Sequence, residues 1–211
     1  CIGHWTPEQG LSPITSWRAH KNEAEIAGFR RAMQHDGVAM VRFHRELDDK
    51  VADGSINQET EWSIAERLEE IRAEHPEYRG LSFATIAGYA GNGAIVHYEA
   101  TAENHAQLAD KSFLLLDSGA HYVSGTTDIT RTIPLGVLSD EEKKAYTLVL
   151  KGMIQLSMAH FPTGTTGLAL DFAARQSMWR EGYDFGHGTG HGVGSHLCLH
   201  EGPHQIRKDR R

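Results

Sequence analysis

The chain is poor in cysteine, in long apolar runs and in positive charge. Its 211 residues contain two cysteines, Cys1 and Cys198, too few for a disulfide framework and consistent with a reducing compartment. There is no apolar run long enough to span a membrane and no signal-peptide pattern. The net charge of −7 disfavours nucleic acid or an acidic membrane surface as the main partner. We therefore expect a cytoplasmic protein that binds neither nucleic acid nor membrane.

The remaining composition is that of an ordinary globular protein, with 39% hydrophobic and 23% charged residues. A chain of this length can bury a sizeable core. Because it begins at Cys1 rather than at Met, we expect a processed or truncated piece. Residues 1–16 carry Gly, Pro, Thr and Ser without periodicity. We interpret them as a linker or the end of a preceding domain, and residues 17–211 as the folded unit.

The first half of the chain predicts two helices followed by strands. Asn22 with Glu25 three positions later resembles a capping box, and apolar spacing continues the helix to about Lys50. A second helix, with Trp62, Ala65, Leu68 and Ile71 on one face, should stop at His75-Pro76. Short strands are predicted at 81–86 and 94–98, on either side of a glycine-rich loop at 88–93.

The pattern then restarts after Pro134. Ser139 with Glu142 forms a second capping-box pattern, which opens a helix to about Phe161. Another helix is predicted at 168–181, closed by Gly182, before a glycine-rich extended region at 185–200. Helix, helix and strands therefore occur twice. We infer a duplicated α+β unit whose halves close around a central site.

Two acids stand out in the stretch LLLDSGAHYVSGTTDITR, which runs from Leu114 to Arg131. Asp117 directly follows three leucines, and Asp128 lies in a β-branched run. The two runs predict neighbouring strands, on which both carboxylates could converge on one point. A carboxylate in this position must be paired, solvated or bound to a metal. The simpler alternative is that Asp117 only ends its strand at a turn.

A second stretch, GHGTGHGVGSHLCLHEGP from Gly186 to Pro203, is rich in histidine and glycine. The spacing of His187 and His191 could present both to zinc on a helix, but the alternating glycines disfavour a helix. An extended backbone is preferred, and a bulge or bend between His191 and His200 would be needed to bring both into one site. A flexible loop is the alternative. The alternation of Val193, Leu197 and Leu199 is more typical of a packed strand.

These two stretches, together with GNGAIVHY, resemble the Xaa-Pro aminopeptidases of the pita-bread metallopeptidase family, especially the subgroup that includes the cytosolic eukaryotic enzymes. The resemblance runs from about Ser12 to the C-terminus, with the three motifs in the family's order. It implies the α+β pita-bread fold: duplicated helix-helix-strand units and a curved antiparallel sheet backed by helices, incomplete at the C-terminus. Residues 17–211 would be a partial catalytic domain.

The resemblance also implies a ligand set and a reaction. Asp117 would chelate one metal ion, Asp128 would bridge two ions, and His191 would ligate one of them. The two divalent ions, bridged by a hydroxide, would cleave the first bond of peptides with proline in second position. Carboxylate-rich ligands favour Mn²⁺, with Zn²⁺ or Co²⁺ as alternatives. The full-length protein would be a homodimer.

Three further histidines match positions around the family's substrate. His97 corresponds to the histidine that contacts the scissile amide, a role suited to a group that titrates near neutrality. His200 corresponds to the histidine that contacts the substrate carbonyl. His187 corresponds to a histidine of the pocket, behind the metal ligands.

The sequence departs from the family pattern in one respect. The family has two glutamate ligands in strands after the HEGP segment, whereas this sequence ends at Arg211. Glu201 does not match either of them. We expect this polypeptide to be inactive or nearly so, because three of five ligands remain. Alternatives are a prolidase, a methionine aminopeptidase relative, or a non-catalytic protein that binds peptides or proteins.

Overall fold

The structure is a computed structural model that describes residue 10 and residues 12–209. The helices are Pro13–Ala19 (α1), Glu23–Asp53 (α2), Glu61–Ala73 (α3), Asp140–Ser157 (α4) and Gly167–Trp179 (α5). The strands are Tyr78–Leu81 (β1), Ile86–Tyr89 (β2), Phe113–Ser118 (β3), Ala120–Tyr122 (β4), Gly125–Thr126 (β5), Ile129–Pro134 (β6), Gly190–Gly192 (β7) and Glu201–Ile206 (β8). Within this part of the chain, no helix has the length and apolarity needed to cross a bilayer.

Helix α2 begins and ends where its local sequence predicts. The Glu25 backbone N–H donates to Asn22 Oδ1, and the Asn22 N–H donates to the Glu25 carboxylate, each at 2.9 Å. These two bonds satisfy donors that the first helical turn leaves open. At the other end Gly54 adopts the left-handed region, with φ 80°, which costs glycine little. The predicted capping box is confirmed, and the helix runs three residues past the predicted end at about Lys50.

The main core lies between α2, α3 and a three-stranded antiparallel sheet in the order β2-β3-β6. Phe43 of α2 and Leu68 of α3 pack in one cluster with Leu114 and Leu116 of β3. Because side chains alternate along a strand, burying Leu114, Leu116 and Ser118 turns Asp117 to the other face. The sheet thereby sets Asp117 on its half-exposed side.

A smaller antiparallel sheet, β1-β4-β5, interrupts the strand pair that carries the acids. Its buried residues, Ala120 and Tyr122, pack with Ala32 of α2. In spite of this insertion β3 and β6 pair directly, with Asp117 opposite Thr130 and Ser118 opposite Ile129. The predicted pairing of the two acidic runs is confirmed.

The second half contains α4, α5 and the two-stranded sheet β7-β8. Glycine at 152 allows α4 to lie close to α5, since an added Cβ would overlap the Ala174 carbonyl oxygen. Helix α1 contacts the start of β8: Arg18 lies 2.9 Å from the Glu201 carboxylate, and Lys21 also pairs with it.

Several predicted boundaries are wrong. Residues 94–98 are not a strand: a 3-10 helix, Ala90–Ala94, leads into a turn. The reason is that Tyr98 and Asn92 donate to the buried Glu61 carboxylate at 2.7 and 3.0 Å, which folds the segment back on itself. Of residues 81–86, only Leu81 and Ile86 are in strands, and they end β1 and begin β2.

Two further predictions need correction. In the glycine-rich region 185–200 only Gly190–Gly192 is a strand. Leu197 is 75% exposed, with φ 61°, so the apolar alternation there belongs to a loop and not to a packed strand. At the other end, α1 covers part of the segment predicted as a linker. Residues 1–9 and 11 lie outside the described residues, and the domain boundary at 16/17 stays a prediction.

Candidate metal centre

Asp117 is held at the end of β3 by its partner strand. The Thr130 hydroxyl donates to Asp117 Oδ1 at 2.7 Å, and the two residues are directly opposite in the strand register. Cross-strand pairs on one face of a sheet are in contact by geometry. The carboxylate is therefore oriented by the strand pairing and faces away from the core.

Asp128 lies between β5 and β6, and its side chain is 19% exposed. His191 Nε2 is 3.2 Å from Asp128 Oδ2. Burial raises the pKa of Asp128, and the negative charge of Asp117 raises it further, while His191 and His200 oppose both effects. Asp117, His191 and His200 therefore all lie near enough to Asp128 to change its pKa. The two acids are close enough to repel each other, which a bound cation would offset.

His191 and His200 meet edge to face, with ring centroids 4.3 Å apart and an interplanar angle of 84°. A register shift between His191 and Gly192 makes this contact: His191 pairs with Gln205, whereas Gly192 pairs with Glu201. The sequence predicted that a bulge or bend between His191 and His200 would be needed; in the structure a loop follows Gly192, and His200 directly precedes β8. His191 Nδ1 lies 2.9 Å from the Gly192 carbonyl oxygen. A carbonyl only accepts, so Nδ1 carries the proton and Nε2 faces Asp128.

The donor types fit a divalent ion, because two carboxylates and an imidazole are common ligands for such ions. Their arrangement is open. Among residue 10 and residues 12–209, no three His, Cys, Asp or Glu side chains are grouped closely enough to hold a metal. The described residues therefore provide donors that meet in pairs and do not enclose an ion.

The structure does not bring His97 and His187 into this cluster. His97 is exposed in the turn after the 3-10 helix, with φ 57°. The His187 ring packs against Phe185, with centroids 4.8 Å apart, and its Nδ1 lies 2.7 Å from the Gly188 carbonyl oxygen. In the part of the chain that the structure describes, no hydrogen bond, ion pair or ring contact joins either histidine to Asp117 or Asp128.

The residues that support the acids could not be identified from the sequence. Thr130 orients Asp117, and a buried pair, Asp36 with Arg72, lies behind both acid-bearing segments. Asp36 could have been noticed as a single acid within the apolar stripe of a helix. The His121 and His196 rings also contact each other, with centroids 5.3 Å apart. The sequence assigns no role to that pair.

The chain belongs to metallopeptidase family M24, whose family pattern it matches over residues 27–211. Among the individual proteins it is similar to is the probable Xaa-Pro aminopeptidase P of Metarhizium robertsii. The two are 49% identical over 201 residues, which cover 95% of this chain and 32% of that protein. The chain thus spans about a third of the length of this curated relative.

Solved structures agree with this assignment of the fold. The X-prolyl aminopeptidase of Caenorhabditis elegans, described as a cytosolic enzyme with a di-nuclear active site, superposes with a TM-score of 0.86 at 38% identity. The match covers 93% of this chain and 32% of that one. A prolidase from Thermococcus sibiricus gives a TM-score of 0.78 at 27% identity, over 93% of this chain and 50% of that one. The predicted pita-bread architecture is confirmed.

Proposed function

We propose that this chain carries part of the active site of a metal-dependent Xaa-Pro aminopeptidase, which removes the first residue of peptides with proline in second position. The observation that carries the proposal is the surroundings of Asp128: its carboxylate lies 3.2 Å from His191 Nε2, the His191 ring contacts His200, and the negative charge of Asp117 helps to raise the pKa of Asp128. The names of the fungal and nematode relatives support the substrate class. Because the chain covers 32% of each of these proteins, the complete activity is proposed for a longer polypeptide.

Asp117, Asp128 and His191 would hold two divalent ions, as the di-nuclear description of the nematode enzyme suggests. Bound ions would polarise the scissile carbonyl and activate a water molecule. Mn²⁺ is our first candidate because two of the three donors are carboxylates, with Zn²⁺ or Co²⁺ as alternatives. Thr130 would keep Asp117 pointed at the ions through its 2.7 Å hydrogen bond.

The histidines would handle the peptide. His200, in contact with the His191 ring, would donate to the substrate carbonyl. His97, on an exposed turn, would reach the scissile amide, whose nitrogen carries no hydrogen when proline follows. His187 would line the pocket from the loop before β7. We further propose that the whole protein is a cytoplasmic homodimer.

Metal retention and turnover by this 211-residue chain test the proposal together. The chain should bind Mn²⁺ measurably, as followed by the electron paramagnetic resonance of the free ion. Asp128→Asn should weaken binding by about 10-fold or more, since a charged ligand is lost. Asp140→Asn is the matched control, because the Asp140 side chain is fully exposed at the start of α4 and its loss should leave binding unchanged.

Turnover is assayed on a tripeptide with proline in second position, against the same peptide with alanine there. We expect the isolated chain to release no N-terminal residue, because its donors do not enclose an ion. Manganese-dependent release from the proline peptide would contradict the proposed inactivity. Equal Mn²⁺ affinity in wild-type, Asp128→Asn and Asp140→Asn proteins would contradict the proposed metal centre.

The similarity to the Thermococcus sibiricus prolidase favours prolidase as the second candidate. An aminopeptidase cuts tripeptides and longer peptides, whereas a prolidase cuts dipeptides at the same bond. Relative turnover of Xaa-Pro and Xaa-Pro-Xaa by the full gene product separates the two. Peptide binding without turnover by that product would instead indicate a non-catalytic relative.

A further inference from the structure

Behind the candidate centre, α2 and α3 are joined by a completely buried ion pair. Asp36 of α2 and Arg72 of α3 are both 0% exposed. Arg72 Nε donates to Asp36 Oδ1 at 2.7 Å, and Nη2 donates to Oδ2 at 3.1 Å. Two parallel bonds of this kind fix the relative orientation of both side chains.

The pair also reaches both acid-bearing segments. Arg72 Nη2 donates to the Ser118 hydroxyl at 3.1 Å, and Ser118 directly follows Asp117 in the chain. On the other side, the Thr127 hydroxyl donates to Asp36 Oδ2, and Thr127 directly precedes Asp128. One buried unit thus contacts the neighbour of each candidate ligand.

Thr127 connects the buried ion pair to the segment that carries Asp128. Its hydroxyl accepts from the Ala120 backbone N–H at 2.9 Å while it donates to Asp36, and its own N–H donates to the Ala120 carbonyl oxygen at 2.9 Å. The residue is 1% exposed. Removing the hydroxyl would leave a buried carboxylate oxygen and a buried N–H each short of a partner.

A buried ion pair is a poor device for stability alone, because desolvating both charges offsets much of their attraction. Arg72 illustrates the cost: its Nη1 has no hydrogen-bond partner among the described residues. The pair contributes more through the positions that it fixes than through its net stabilisation. It connects two helices to two strand ends that must stay in register if their acids are to converge.

We propose that Asp36 and Arg72 are positioning residues, which hold Ser118 and Thr127 and thereby set the separation of the Asp117 and Asp128 carboxylates. This inference rests on the proposed function where it concerns metal affinity. It predicts that cutting either hydroxyl link weakens metal binding although both ligands and the ion pair remain. Removing a group that orients a metal ligand typically weakens metal affinity by about 10–100-fold.

The test uses the full 211-residue chain with MnCl₂ as the probe. Thr127→Val and Ser118→Ala each remove a hydroxyl and change no charge, so an altered Kd cannot arise from lost electrostatic attraction. We expect Kd for Mn²⁺ to rise about 10-fold in each. Thr127→Ser keeps the hydroxyl and should restore a Kd close to the wild-type value.

Glu61→Gln is the matched control for lost stability. Glu61 lies on the same helix as Arg72 and is 0% exposed. Its carboxylate accepts from Tyr89, Asn92, Tyr98 and Ala106, and its hydrogen bonds do not include Ser118 or Thr127. This variant should unfold more easily and keep its Mn²⁺ affinity. If Thr127→Val and Ser118→Ala change Kd no more than Glu61→Gln does, the inference is wrong.

A second readout separates this inference from the proposed function. If the wild-type chain binds no Mn²⁺, the metal centre proposed for it fails, and amide hydrogen exchange of the metal-free chain decides the positioning role. Exchange in residues 113–118 and 129–134 should then be faster in Thr127→Val and Ser118→Ala than in Glu61→Gln. Equal exchange in all three would overturn the inference.

Discussion

Single residues in this chain are held in place by buried carboxylates as well as by the apolar core. Glu61 accepts hydrogen bonds from the Tyr89 and Ala106 backbone N–H groups at 2.6 and 2.7 Å, and from the Tyr98 hydroxyl at 2.7 Å. These bonds replace the water that burial removes. Burial, the hydrogen bond to Glu61 and the negative charge of Glu61 together raise the pKa of Tyr98 to about 12.

The shifted phenol predicts a loss of stability in alkali. Since the pKa of Tyr98 is about 12 in the folded protein and 10.0 ordinarily, its contribution is fully present below pH 10 and is lost as the pH rises from 10 towards 12. Tyr98→Phe should reduce the slope of unfolding free energy against pH in that range. Urea unfolding at a series of pH values measures it.

The slope should decrease without vanishing, because desolvation also raises the pKa of Tyr78 and of Tyr122. A Tyr98→Phe protein whose alkaline slope equals that of the wild type would show that the Glu61 contact is not retained in solution. Below pH 10 the slope of unfolding free energy against pH should be the same in the two proteins.

At the scale of elements, two glycines within helices serve opposite purposes. Gly152 of α4 is buried against α5, where an added Cβ would overlap the Ala174 carbonyl oxygen. Gly37 of α2 has nothing within 4 Å of an added Cβ. The same substitution should therefore have opposite signs at the two sites. Gly152→Ala should destabilise by about 1–3 kcal/mol, because the helices must separate. Gly37→Ala should stabilise by about 1 kcal/mol, because alanine favours the helix.

Chemical denaturation of the two variants beside the wild type measures both changes, and each serves as the control for the other. Stabilisation by Gly152→Ala would mean that α4 and α5 are not packed as closely as the structure places them. Destabilisation by Gly37→Ala would mean that this face of α2 is covered.

The elements that could be predicted from the sequence are those fixed by local chemistry. The capping residues Asn22 and Ser139 and the apolar spacing behind them locate α2 and α4. The acidic strands follow from β-branched and leucine-rich runs. Residues 94–98 could not be predicted, because a distant contact decides their path. Glu61 is 37 positions from Tyr98, and such a pairing leaves no periodic pattern in the sequence.

The candidate site divides in the same way. Asp117, Asp128 and His191 are identifiable from residue type and spacing, and the pairing of β7 with β8 is irregular at His191. The partners that orient the acids are not identifiable, since Asp36 and Thr127 are 91 positions apart. His97 matched a family motif, yet its position relative to the acids depends on the path of a turn. Its role stays a prediction.

At the scale of the whole molecule, the two halves differ in how well their helices are covered. In the first half, α2 and α3 enclose a large apolar cluster against the sheet. In the second half, α4 buries only Leu148 and Gly152 among its described residues. Apolar side chains at helical spacing remain uncovered on α4: Tyr146, Val149, Leu150, Met153 and Ile154 are 39–53% exposed. We call these five residues the α4 stripe.

A continuous apolar stripe should bind a hydrophobic dye, whereas isolated apolar residues should not. We expect the folded chain to enhance the fluorescence of 8-anilinonaphthalene-1-sulfonate and the double variant Val149→Lys/Met153→Lys to lose most of that enhancement. Both side chains are 53% exposed, so the replacement lysines stay in water and should cost little stability.

Val137→Lys is the control, because this valine is 83% exposed in a loop and outside the stripe. Dye binding that falls equally in the control and the double variant, or in neither, would show that the dye does not bind at the α4 stripe. Dye binding lost only in the double variant would show that the α4 stripe is an uncovered apolar surface.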